Sequence, residues 1–187
     1  KMKICFIFLL FFVLSILSIK GHLFSNALIN HTDWNIPPYK EQISEYNYTS
    51  FFAWNNKMNL LGAPQLFPQI HNSLITNLFC GITGIDGIHA IKIIIILLLF
   101  LSLTSSYFLS RYFTNNNLIS IAVSFFYTFS PISFNWLYYG WAAFYLGYAL
   151  LPLMFLFFLK ASSGHKTTGY SLLNGCILSV VTAQTHN

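Results

Sequence analysis

The stretch "HTDWNIPPYKEQISEY", His31 to Tyr46, holds Asp33, Glu41 and Glu45, three of the four acidic residues in a chain of 187. Where carboxylates are this scarce, acid–base or metal chemistry has few places to reside. Asp33 stands beside Trp34 and two residues after His31. An indole held at a membrane boundary keeps such a carboxylate partly desolvated, which favours its protonated form and suits a general base. Asp33 with the His31 imidazole also offers oxygen and nitrogen donors to a divalent cation such as Mg or Mn. The plainer reading of Asp33 is a helix cap or a solvated loop residue. Glu41 and Glu45 are four apart and would share one helix face. They fit a cation pair or, more simply, the wet side of a helix that carries Tyr39, Ile43 and Tyr46 on its other side.

A second polar group closes the sequence, where "TAQTHN" sets Gln184, His186 and Asn187 at the end of an apolar segment. Such residues are ordinary at a membrane interface, yet they signal function when they face a bundle interior. There, His186 would bind a phosphate or orient an acceptor. Cys5, Cys80 and Cys176 are widely spaced in apolar surroundings and form no CxxC or Cys/His cluster. P-loop, GxGxxG, GxSxG and HExxH motifs are absent, so nucleotide binding, hydride transfer, serine hydrolysis and zincin chemistry find no support.

The elements that must position these residues are membrane helices. Hydrophobic residues make up 56% of the chain and charged ones 7%, against about 25% charged in a soluble domain. The net charge of +5 comes from basic residues scattered singly, with no stripe to bind nucleic acid. Hydropathy predicts about five spans, near residues 4–23, 90–109, 118–134, 142–159 and 170–186. Lys92 is expected to snorkel at the start of the second and Arg111 to close its end. Pro131 marks a kink or a helix end, and Pro152 lies inside the fourth span.

With the N-terminus inside, the inner segments hold Lys1, Lys3, Arg111, Lys160 and Lys166, and every Asp and Glu falls outside. The positive-inside rule therefore predicts a multi-pass protein of the cell membrane with a cytoplasmic N-terminus. The long first outer loop, about 24–89, is expected to carry two amphipathic interfacial helices. One begins at Asn35-Ile36-Pro37, and the other runs from near Pro68, with Ile70, Leu74 and Leu78 on one stripe, to Gly81. Asn30-His31-Thr32 and Asn47-Tyr48-Thr49 are sequons on the same side. The expected fold class is thus all-α, a polytopic transmembrane bundle forming one domain over 1–187.

This order of features, with "HTDWNIPP", "WNN" and "LGAPQLFPQ" in the first loop and "SRYFTNNNLISIAVSFFYTFSPISFNWLYYGWAAFYLGYALLPLMFLFFLK" after it, resembles the N-terminal part of GT-C superfamily glycosyltransferases. The likeness is to YfhO-like and arabinofuranosyltransferase-like prokaryotic membrane proteins, and it spans nearly the whole chain. It implies sugar transfer from a polyprenyl-phosphate-linked donor at the extracytoplasmic face. Asp33 matches the acidic residue that serves there as catalytic base or metal ligand, and "DWN" supplies one carboxylate where the family often shows a pair. His31, Trp34, His71, His186 and Asn187 are the expected substrate-binding residues, with His71, His186 and Lys57 near enough to the outer interface to meet a phosphate's charge. Such enzymes have more than five helices, so the chain reads as an N-terminal piece of a larger protein. The alternatives are a non-catalytic polytopic subunit and a transporter-like bundle; transport is disfavoured because the middles of the second to fourth spans hold no ionisable residue.

Overall fold

The computed structural model describes residues 4–23, 25, 54–55, 63–64, 83–138, 142–164 and 167–182. Nearly all of them are helical. In chain order they form α1 (Ile4–Ser18), α2 (Lys20–Leu23), β1 (Trp54–Asn55), β2 (Ala63–Pro64), α3 (Gly87–Thr114), α4 (Asn117–Thr128), α5 (Pro131–Tyr138), α6 (Ala142–Ser162) and α7 (Thr167–Thr182). The chain divides into two units, one of residues 1–20 with 95–185 and one of residues 21–94 with 186–187.

By length and apolar composition, α3 and the Phe144–Ser162 part of α6 can each cross a membrane. A third crossing results if α4 and Pro131–Leu137 of α5, bent by 42° at their break, are one span. These three coincide with the second, third and fourth expected spans. At 15 and 16 residues, α1 and α7 fall short of the roughly 20 that a perpendicular crossing needs. The two expected interfacial helices lie outside the described residues. What is described of the long loop includes an antiparallel pair, Trp54 opposite Pro64 and Asn55 opposite Ala63, which the all-α expectation did not contain.

Helix α4 has the reverse of a soluble helix's pattern. Its fully buried residues are Ser120, Ser124 and Thr128, whereas Leu118, Ile119, Val123, Phe125 and Phe126 are exposed. Apolar side chains outward and hydroxyls inward is the arrangement that a lipid solvent favours, because hydrocarbon tails satisfy leucine but not serine. Across from it, α3 buries Ser102, Ser105, Ser106 and Ser110. Bonds at each end, Ser102 to Thr128 at 2.9 Å and Thr114 to Ser120 at 3.2 Å, show the two helices running antiparallel with these hydroxyls in one seam. Small side chains at four-residue spacing let two backbones approach closely. Most seam hydroxyls donate to carbonyls of their own helix, as Ser106 does to Ser102 and Ser124 to Ser120, which satisfies those donors away from water.

The turn between α3 and α4 is short and well capped. Asn115 takes a left-handed φ of 50°, a conformation asparagine tolerates better than most residues, and the Asn116 side chain accepts from the Leu118 and Ile119 N–H groups. On its other side, α3 meets α1. Phe11 lies edge-on to Tyr107, Phe8 to Phe108 and Phe12 to Phe100, an antiparallel aromatic seam around the buried Ile7, Phe11, Leu103 and Tyr107. Helices α6 and α7 form a hairpin through Gly164, whose φ of 79° suits a residue without a side chain. Phe157 stacks on Tyr170 there, and the Lys160 ammonium sits 5.3 Å from the centre of the same ring.

The seam predicts an asymmetry between adjacent residues of α4. Replacing Ser124 by leucine is expected to destabilise the protein by about 1–3 kcal/mol through overpacking, whereas Val123→Leu on the exposed face stays within about 0.5 kcal/mol. Thermal unfolding in a mild detergent measures both, and equal effects would contradict the close packing of α3 on α4.

Candidate functional site

Two prolines create the polar centre of the first unit. A proline has no N–H to give to the carbonyl four residues before it, so Pro131 leaves the carbonyl of Tyr127 only a long backbone bond, 3.4 Å from the Ser130 nitrogen, and Pro152 removes the helical donor to that of Tyr148. Each tyrosine repairs the other's loss. The Tyr127 hydroxyl donates to the Tyr148 carbonyl at 2.8 Å, and the Tyr148 hydroxyl donates to the Tyr127 carbonyl at 2.7 Å. The two rings stack with centroids 4.2 Å apart and planes 3° from parallel, and Trp136 of α5 meets Tyr148 edge-on. The Ser130 hydroxyl lies 3.4 Å from that of Tyr148.

Further hydroxyls treat the loosened backbone in the same way. Ser105 of α3 donates to the Ala149 carbonyl, three residues before Pro152. Ser133 donates to the Thr128 carbonyl at the break between α4 and α5. Among the described residues the buried hydroxyls of Thr104 and Tyr145 lack a partner; Tyr145, a fully buried residue, faces the Ser102 side chain without meeting hydrogen-bond geometry. Among the described residues, this centre includes no carboxylate, imidazole or amine. It can fix the bent α4–α5 pair and the proline-containing α6 against their neighbours and hold hydrogen-bonding groups.

In the second unit, Asp86, His89 and Lys92 stand around the start of α3. The Asp86 main-chain carbonyl accepts from the N–H groups of His89 and Ala90, both at 3.0 Å, and so opens the helix. His89 is exposed on the first turn. Lys92 was expected to snorkel toward water, but it is 2% exposed and its ammonium donates to the carbonyl of Ser25. Ser25 follows α2 and bonds back to the His22 carbonyl through both its N–H and its hydroxyl. A cation here also meets the negative end of α2, so the lysine ties the close of the first helical segment to the beginning of α3.

Asp33, His31, Trp34, His71, His186 and Asn187 all lie outside the described residues, as do Glu41, Glu45 and Lys57. Among the described residues, no group of three or more His, Cys, Asp or Glu could hold a metal ion. Sequence reasoning missed the tyrosine exchange and the burial of Lys92. The first had a signal, since "YTFSP" and "YALLP" each set a tyrosine four residues before a proline. The second had none, because a lysine two turns into an apolar helix reads alike whether it reaches water or a carbonyl.

Two tyrosines three residues apart are expected to respond in opposite directions. Tyr148→Phe leaves the Tyr127 carbonyl short of its best donor and should destabilise by roughly 1–2 kcal/mol. Tyr145→Phe removes a buried hydroxyl that has no partner and should be neutral or stabilising. Unfolding midpoints of the two variants in the same detergent check this, and a larger loss in Tyr145→Phe would refute the bonding pattern. Compared with known protein families, curated proteins and solved structures, the chain matches none.

Proposed function

We propose that this chain is the N-terminal part of a GT-C-type membrane glycosyltransferase that moves a sugar from a polyprenyl-phosphate donor to an acceptor hydroxyl at the extracytoplasmic face. On this reading the chain crosses the membrane about five times from a cytoplasmic N-terminus, and the long first loop bears the reacting groups. The observation that carries it is the Lys92–Ser25 bond. It holds Ser25 at the second turn of α3, next to the apolar run Ile93 to Phe100, and in sequence Asp33 follows Ser25 by only eight residues. A base that works on a lipid-linked substrate belongs at that boundary.

In the step proposed, the acceptor oxygen bonds to the anomeric carbon while the bond from that carbon to the phosphate oxygen breaks. Asp33 takes the acceptor proton, and the phosphate departs with the electron pair. Basic groups such as His71, His186 or Lys57 meet the leaving charge, and His31, Trp34 and Asn187 orient the substrates. A divalent cation, with Asp33 as ligand, would supply further charge stabilisation to the departing phosphate.

A transporter-like reading draws on one feature, the helix break between Thr128 and Pro131 within a hydroxyl-lined interior. Discontinuous helices of that kind line substrate paths in secondary transporters. Asp33→Asn in the full-length protein separates the two. It should lower sugar transfer from a polyprenyl-phosphate donor by about 10²–10⁴-fold with expression and folding unchanged. Transfer at the wild-type rate would remove Asp33 from the chemistry, and solute flux without transfer would favour transport.

A further inference from the structure

We draw no further inference here: the strongest candidate, the cluster of hydroxyls on Ser102, Thr128 and Tyr145 where α3, α4 and α6 meet, belongs to the polar centre already described, its three residues fully buried by helix packing with nothing to show what ligand they would hold.

Discussion

The reciprocal pair of hydrogen bonds between Tyr127 and Tyr148 is the constraint on which the helical unit depends. In hydrocarbon an unpaired main-chain carbonyl has no water to turn to, so each proline within a span creates a debt that a neighbouring element must settle. Here two debts cancel across one ring stack. The exchange fixes the distance, the rotation and the level of α4 against α6 together, since either hydroxyl reaches its carbonyl only while the rings stay parallel. Ser105 on Ala149 and Ser133 on Thr128 extend the same principle around the break.

With the bent α4–α5 pair held against α6, the rest of the unit can be built from small polar contacts instead of a greasy core. Association of helices in lipid gains little from burying leucine, because the tails solvate it equally well. Close packing and internal hydroxyl bonds do the work instead, which is why serine lies inside α4 while Phe126 and Leu118 face out. Against α1, where no serine ladder is available, edge-to-face aromatic contacts fill the same role.

The positions of the three candidate spans were legible in the sequence because long apolar runs have few alternatives to a membrane helix. Their internal packing was legible only in part. Ser102, Ser106 and Ser110, like Ser120, Ser124 and Thr128, recur every four residues, yet a four-residue repeat states nothing about its partner until an antiparallel turn such as Asn115-Asn116 brings the two ladders together. The tyrosine-to-proline spacing was likewise visible, and its meaning depended on two segments twenty-one residues apart meeting in register. Lys92 shows the opposite limit: hydropathy places it correctly at a helix start, but the direction a long flexible side chain takes is decided by the backbone carbonyl it finds. Of the site, Asp33 and its companions rest on residue chemistry and on a family resemblance, and they lie outside the described residues.

The serine ladder has a consequence for how the helices find their alignment. Because both helices repeat the same small residue every four positions, sliding one past the other by a turn would match serine to serine again, and the seam itself scarcely distinguishes the two arrangements. Alignment must come from features that do not repeat: the short Asn115-Asn116 connection and the bond from the Tyr107 hydroxyl of α3 to the Asn117 side chain of α4. The interface thus works like a scale with its stop at one end, smooth along its length and defined where the two helices join. Lengthening the connection by a residue or removing the Tyr107 hydroxyl would free the slide without altering a single contact in the middle of the seam.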